Sequence, residues 1–590
     1  MHYRDLAETY DSIESTSGLI EKTRLFSEVL KKAHASEVSC IVALTIGKLY
    51  PDWKGEPELG VAEKMAVQVV AAAASVPERD VLGDLRKTGD IGLTAQGLLA
   101  NSAQSTLSAE ETTVKKVYDA LLSVARSSGQ GSAKEKVSKL VGLLADADPI
   151  EAKYILRTVT GDLRLGLGHM SIIDALALAF TADKNTAPEI ERAFNLYSDL
   201  PAIAQLLAEK GLKALRAIKV EVGRPILMMA AKKLADAREI LQKTGGKALV
   251  EYKYDGERIQ LHKDGDRVVL FSRREENITE QYPDVVSLAR EGIIAKRCVV
   301  EGECVAVDPT TGHLRPFQEL MRRRRKTEVQ AMSEEIPVSL FLFDVLFLED
   351  RDVTSLPMPQ RRALLEKMVK KHKRIQLTKG ELIDDPERLE QFFNEAIQSG
   401  HEGIIAKAIH QDSTYQAGAR SWLWIKLKAS YRENPSDSMD LVVVGALYGR
   451  GKRTGVYGAI LASVYDAETD TYPTVCKIGT GFTDDMLADF KSRLDRHILA
   501  TKHPSVQSDI EADVWFEPVK VIEVIGDQIT VSPTHLAGKN KIRSGGLAIR
   551  FPRFTGRWRD DKGPEQATTV DDLLDAFERQ RGTIDESDGS

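Results

Sequence analysis

Four cysteines in 590 residues are too few for a disulfide framework, and Cys40, Cys298, Cys304 and Cys476 form no CxxC pair. No His-x-x-x-His accompanies them, so a zinc module is not expected and the four are read as reduced core thiols. Long apolar runs are missing too: no stretch approaches the ~20 residues that cross a bilayer. The first residues, MHYRDLAETYDSIEST, are polar and acidic, which argues against a secretory leader. The expected compartment is therefore the cytoplasm, with nucleoid association in a prokaryote. An excess of positive charge is also lacking. Lys and Arg number 81 against 88 Asp and Glu, a net charge of −7, so whole-chain charge does not point to nucleic acid. Basic residues cluster locally instead, at Arg322–Lys326, Lys370–Arg374 and Arg550–Arg559; such runs are most often solvated faces. No internal repeat and no long low-complexity tract is present.

What is present divides the chain. Its length exceeds what one hydrophobic core serves, so two to four domains are expected. Residues 1–222 read as helical. Leu25-Phe26-Val29-Leu30 and Val137-Leu140-Val141-Leu144 each mark one face of an amphipathic helix, and 100–113 reads as a polar surface loop. From Gly223 onward alternation takes over. Ala248–Lys253 runs into Asp255-Gly256, and Ile259–His262 into Asp264-Gly265; both Asp-Gly pairs read as hairpin turns in a mixed α/β domain over 223–431. The polar, proline-bearing segment 432–438 reads as a linker. Strands at Leu441–Gly445, Ala459–Val464 and Val519–Val524 suggest a small barrel within 439–582, closed by a helix carrying Val570, Leu573, Leu574 and Phe577. A disordered tail is expected at 583–590.

The chemistry starts at Lys253-Tyr254-Asp255-Gly256-Glu257-Arg258. A lysine amine is a nucleophile only when neutral, and burial or neighbouring cations lower its pKa from the ordinary ~10.4. Alone, a K-x-D-G tetrad is weak, because an ordinary exposed hairpin would look the same. The ordered set behind it is more specific: Ser272–Asn277, Glu301-Gly302-Glu303, Phe343-Asp344-Val345-Leu346, Glu402–Lys407 and Trp424-Ile425-Lys426-Leu427-Lys428. Lys426 and Lys428 alternate on one strand face, so two amines are offered to one side, as an anionic phosphate requires. Glu303 and Glu402 are carboxylates suited to Mg²⁺, and equally to Mn²⁺.

This order resembles the covalent nucleotidyltransferase superfamily, which holds ATP-dependent DNA ligases, RNA ligases and capping enzymes, and the match spans 251–428. The resemblance implies that Lys253 takes AMP from ATP. It further implies that Glu251 contacts the adenine and Phe343 stacks on it. Arg258, Arg273, Glu303 and Arg420 are then placed around ribose and phosphates, with Lys426 and Lys428 at the α-phosphate and Glu303 and Glu402 on the metal.

Three further features resemble DNA ligases of the archaeal and eukaryotic replicative type. Ser544–Phe554 looks like the last motif of their OB-fold domain, with Arg550 and Arg553 on one proline-braced strand suited to phosphate. Gly161–Gly168 looks like a loop of their helical DNA-binding domain, where Gly166 and Gly168 would let backbone N–H groups approach phosphates. Pro316–Leu320 precedes the Arg322–Lys326 run as in the same enzymes, whose arginines would also meet phosphate. The implied architecture is a helical DNA-binding domain, an adenylation domain and an OB-fold barrel. The implied function is sealing of 5′-phosphate/3′-hydroxyl nicks in duplex DNA by a monomer using ATP and Mg²⁺. The barrel is expected to swing about 432–438, since one chain must meet ATP and then DNA. A sliding-clamp motif would fall at Gln104–Ser108, which keeps the glutamine but not the paired aromatics. The rivals are an NAD-dependent ligase, which would bring a four-cysteine module, a capping enzyme or RNA ligase, which would lack the helical region, and a non-catalytic DNA-binding scaffold.

Overall fold

The computed structural model describes residues 1–101, 111–324, 329–429, 438–542 and 545–585. The Gln104–Ser108 segment, Arg325 and Lys326, Ser544 and nearly all of the 432–438 linker lie outside these residues.

Helices from Tyr3–Ser15 to Leu200–Arg216 share one apolar core. The expected stripes are buried where their spacing puts them: Phe26, Val29 and Leu30 on helix Leu19–Lys32, and Leu140 and Leu144 on helix Ser132–Ala145. Helix Pro149–Thr160 runs through the middle. It starts at a capping box, with the Glu151 carboxylate accepting from the Asp148 N–H at 2.7 Å. It is buried from Glu151 to Val159 and neutralises its inward cations locally: Arg157 meets Glu14 at 2.8 Å and Lys153 meets Asp11 at 2.7 Å. The loop 161–168 then leads into helix His169–Phe180.

The middle domain is built on two sheets. Its strands are β1 (Ala230–Lys233), β2 (Ala248–Lys253), β3 (Glu257–Asp264), β4 (Arg267–Ser272), β5 (Arg297–Ala306), β6 (Val338–Leu348), β7 (Arg351–Asp352), β8 (Ile375–Leu377), β9 (Gly380–Ile383), β10 (Gly403–Ala408) and β11 (Arg420–Lys428). One sheet has the order β1-β11-β10-β2-β9, the other β4-β3-β5-β6-β7 with β8 beside β6. Asp264-Gly265 does close a hairpin, joining β3 to β4. Asp255-Gly256 does not, which corrects the sequence reading: β2 pairs with β10 and β9, and β3 lies in the other sheet. The turn after Lys253 is thus a crossing between sheets. Glycine is required there by a close approach, since a Cβ on Gly256 would lie 2.3 Å from the Cys304 carbonyl oxygen. Dipeptide identity could not tell a hairpin from a crossing, because both need a tight turn.

The C-terminal unit adds β12 (Met439–Tyr448), β13 (Tyr457–Ser463), β14 (Tyr472–Ile478), β15 (Ile498–Leu499), β16 (Val506–Gln507), β17 (Val514–Ile525), β18 (Gln528–Ser532), β19 (Gly546–Arg550) and β20 (Arg553–Trp558). Seven of these form a half-barrel sheet ordered β15-β17-β12-β13-β14-β16, with β20 on β17, while β18 and β19 pair separately. Helix Val570–Asp585 follows, so the chain stays helical past 583, where the sequence reading began a disordered tail. The four cysteines are buried and unpaired. Among the described residues no helix is long and apolar enough to cross a membrane.

Candidate active site

Period-two alternation along β2 sorts its side chains. Tyr252 and Tyr254 enter an aromatic cluster: Tyr252 lies 4.9 Å from Phe392 and 4.7 Å from His401, and Tyr254 stacks on Phe341 at 4.0 Å. Glu251 and Lys253 fall on the opposite face, so large rings fix the strand from behind. The Lys253 ammonium donates to the Glu402 carboxylate, and the Glu402 N–H donates to the Lys253 carbonyl at 3.0 Å. Gly403, opposite Lys253 in the β10 register, opens the next strand.

Withdrawal from water lowers the Lys253 pKa from 10.5, against the pull of Glu303 and Asp255; Arg258 and Arg273 push it further down. Lys426 is lowered as well, first by desolvation, then by the charges of Lys253, Arg420, Arg273 and Lys233. Burial pushes Glu303 up to about 7, with Lys253 and Arg258 opposing. These mutual fields bring Lys253, Arg258, Arg273, Glu303, Arg420 and Lys426 into one cluster. Lys428 ends the same strand as Lys426. A consequence is testable. Single-turnover adduct formation at saturating ATP should rise about tenfold per pH unit while the amine is mostly protonated, then level off below pH 10.5. A rate that falls as pH rises toward 10.5 would contradict a nucleophile that must first lose its proton.

Other candidate residues have protein partners of their own. Arg258 donates to the Met229 carbonyl at 2.7 Å and to Glu301 at 2.8 Å, so much of its guanidinium faces protein. Glu301, fully buried, also accepts from the Tyr415 hydroxyl at 3.0 Å. Phe343 sits at a bulge of β6, where the register with β5 slips between Glu301 and Gly302. Only 9% exposed, it lies in a core cluster with Trp424, Tyr415 and Met229. The Arg258 guanidinium and Lys407 amine approach its ring at 5.3 and 4.8 Å. Glu251 is 2% exposed and paired twice, with Lys407 at 2.6 Å and Arg362 at 2.8 Å. Lys233 was missed; its signal was the lysine pair at the end of a short strand, and the structure sets it beside Lys426 in the β1–β11 register.

The basic runs are partly structural. Arg323 is buried, bonded to Asp284 at 2.6 Å and to two carbonyls, and Arg322 pairs with Glu335. Of the third run, Arg550 and Arg553 do not share one strand: Arg550 ends β19 and Arg553 begins β20, in different sheets. Phe551-Pro552 forms the corner between them, with Phe551 at φ 52° and 60% exposed. Proline suggested a brace within a strand, whereas here it helps turn the chain. In the helical region Gly166 adopts φ 67°, while Gly168, at an ordinary φ of −90°, precedes helix His169–Phe180.

Two carboxylates beside one phosphate-seeking amine suit an ion that arrives with a triphosphate, because Mg²⁺ takes one or two protein oxygens and fills its shell with phosphate and water. Among the described residues no group of three His, Cys, Asp or Glu could hold a metal without such help.

A desolvated strand-end lysine among other cations fits the chemistry of a covalent nucleotidyltransferase, and the two-sheet middle domain is the fold of that class. Comparison with known proteins narrows it. Residues 228–428 match the ATP dependent DNA ligase domain, 2–177 the DNA ligase N terminus, and 453–562 the ATP dependent DNA ligase C terminal region. DNA ligase 2 of Thermofilum pendens is 50% identical, with 98% of each chain covered, and the DNA ligase of Aeropyrum pernix is 46% identical, with 99% of each covered. The solved structure described as Pmar-Lig_PreS3 shares the fold at 17% identity and TM-score 0.56, covering 94% of this chain and 99% of its own. The chain belongs to the ATP-dependent DNA ligase family.

Proposed function

We propose that this ligase seals nicks in duplex DNA in three transfers that begin at Lys253. The neutral amine attacks the α-phosphorus of ATP; the Nζ–P bond forms, the bond to pyrophosphate breaks, and the amine proton leaves to solvent. A 5′-phosphate oxygen at the nick then takes the AMP from Lys253. Last, the 3′-hydroxyl attacks the 5′-phosphorus and AMP departs. The observation that carries this reading is the lowered Lys253 amine lying among Glu402, Glu303 and the cation Lys426.

In this reading Lys426 and Lys428 neutralise charge gathering on the α-phosphate, where prearranged cations lower the barrier most. Arg273 and Arg420, both exposed, are free to turn to ribose or phosphate, while Arg258 holds the pocket wall through Glu301. Glu251 faces the base and Phe343 lies beneath it. Glu402 and Glu303 would hold Mg²⁺, or Mn²⁺, which when bound would supply positive charge at the phosphates. The Glu402 carboxylate also accepts from the Lys253 ammonium, which holds that amine in place before it loses its proton. Arg550 and Arg553 meet phosphate, and the 161–168 loop with Gly166 and Gly168 contacts the duplex backbone without reading bases. The enzyme acts as a monomer in the cytoplasm, where ATP and chromosomal DNA meet.

ATP labelled at the α-phosphate should leave label on the protein through denaturation, and nicked duplex DNA should discharge it as AMP while the nick closes. Label that forms but is discharged only by nicked RNA would overturn the DNA assignment. No covalent label from ATP, NAD⁺ or GTP would leave a DNA-binding scaffold as the reading.

A further inference from the structure

Beside the Lys253 cluster lies a second group of charges, centred on a buried carboxylate. Glu251, two residues before Lys253 on the same strand face, keeps its carboxylate almost wholly out of water. Its two oxygens are held by different cations. Oε1 accepts from Arg362 Nη1 at 2.8 Å and Oε2 is paired with Lys407 Nζ at 2.6 Å. Lys407 is itself fixed: it is buried, donates to the Phe343 carbonyl at 3.1 Å, and lies 4.7 Å from the Trp424 ring centroid. Arg362, from helix Met358–Met368, is pinned independently by Thr378, whose hydroxyl accepts at 3.1 Å and whose carbonyl accepts at 3.0 Å.

One cation would neutralise the carboxylate. Two cations, one on each oxygen, also fix its plane. A carboxylate has about four lone-pair sites, so each oxygen keeps one in a set direction. A base meeting that edge is then sorted by chemistry. The exocyclic amine of adenine is a donor that the fixed carboxylate accepts. The carbonyl of guanine at the same place is an acceptor, and the carboxylate repels it. If the carboxylate could swing, the freed cations would offer donors to that carbonyl, and the discrimination would fade.

We propose that Arg362 is a positioning residue that orients Glu251 and thereby sets the preference for adenine over guanine nucleotides. This rests on the reading of Glu251 as the residue facing the base. Arg362 touches neither the reacting phosphorus nor Lys253, so its removal should alter which nucleotide enters more than how fast the bound one reacts.

The test is self-nucleotidylation of the full-length enzyme with ATP and with GTP, comparing kcat/KM, for wild type, Arg362→Met, Arg362→Lys and Glu251→Gln. Arg362→Met should lower the ATP:GTP ratio by ~10-fold or more, mainly through KM for ATP. Arg362→Lys, which restores a cation, should recover part of that ratio. Glu251→Gln should also lower it, since an amide can donate to the guanine carbonyl. An unchanged ratio in Glu251→Gln would overturn the base-facing role of Glu251, and the proposal with it. A changed ratio there but an unchanged one in Arg362→Met and Arg362→Lys would overturn the positioning role alone. Equal loss with both nucleotides in the two Arg362 variants, with a lowered melting temperature, would show Arg362 to be structural and overturn the proposal as well.

Discussion

Lys253→Ala should carry no nucleotide through denaturation and should seal nicked DNA at a rate lower by a factor on the order of 10⁴ or more. The covalent bond, not the pocket, decides this outcome. In the proposed first transfer the Lys253 amine takes the AMP, and water in its place gives hydrolysis and not an adduct. Lys253→Arg should fail equally, because a guanidinium stays protonated and cannot act as nucleophile. Loss of activity alone could reflect a damaged cleft, so a second substrate separates the two. DNA already carrying AMP on its 5′-phosphate enters after the lysine has finished, and the last transfer needs only the 3′-hydroxyl. Lys253→Ala should therefore seal that substrate at a measurable rate. An adduct persisting in Lys253→Ala would move the nucleophile elsewhere, and a folded variant inert toward pre-adenylylated DNA would give Lys253 a part in the last transfer too.

That Lys253, Glu303, Glu402 and Lys426 come together was legible because their signal is local. Lys253, Glu303 and the Lys426-Lys428 alternation sit in strands whose period two fixes facing, and Glu402 directly precedes the strand that opens at Gly403. What the strands face across a sheet was not legible. Asp255-Gly256 reads as a hairpin from its dipeptide, yet pairing partners lie far along the chain, and β2 joins β10 and β9 while β3 joins the other sheet. Cations were misread in the same way. Arg323 belongs to a run that looks solvated, but its guanidinium is buried against Asp284, 39 residues earlier in sequence. Arg362 and Lys407 carry no motif that points to Glu251, because a buried ion pair leaves no periodic trace. Phe343 is placed at the adenine by resemblance alone; that a bulge of β6 sets it in a core cluster, with Arg258 and Lys407 near its ring, is a consequence of tertiary packing that its own segment does not carry.

The largest stability effect should come from a residue no motif contains. Arg361 is fully buried, and its guanidinium grips both oxygens of Asp344 at 2.8 and 2.9 Å while donating to the carbonyls of Leu356 and Ser413 at 2.6 and 3.1 Å. Asp344 is 1% exposed and follows Phe343 directly. Forming such a pair gains little over an apolar substitute, because both ions must be desolvated, but stranding one partner is severe. Arg361→Leu leaves a buried carboxylate with no cation and should destabilise the middle domain by ~3–5 kcal/mol. Asp344→Leu, which strands the guanidinium, should cost about as much. The double replacement strands neither charge and should recover much of the loss, although Leu356 and Ser413 still lose their donor. Unfolding is best read through this domain's own activity, because separate units need not melt together. Aliquots heated briefly and assayed for adduct formation would report the domain directly. Single variants that lose their adduct-forming capacity at the wild-type temperature would show that the pair does not hold the domain. A double variant no better than either single one would assign the effect to lost packing and carbonyl bonds, not to an unpaired buried charge.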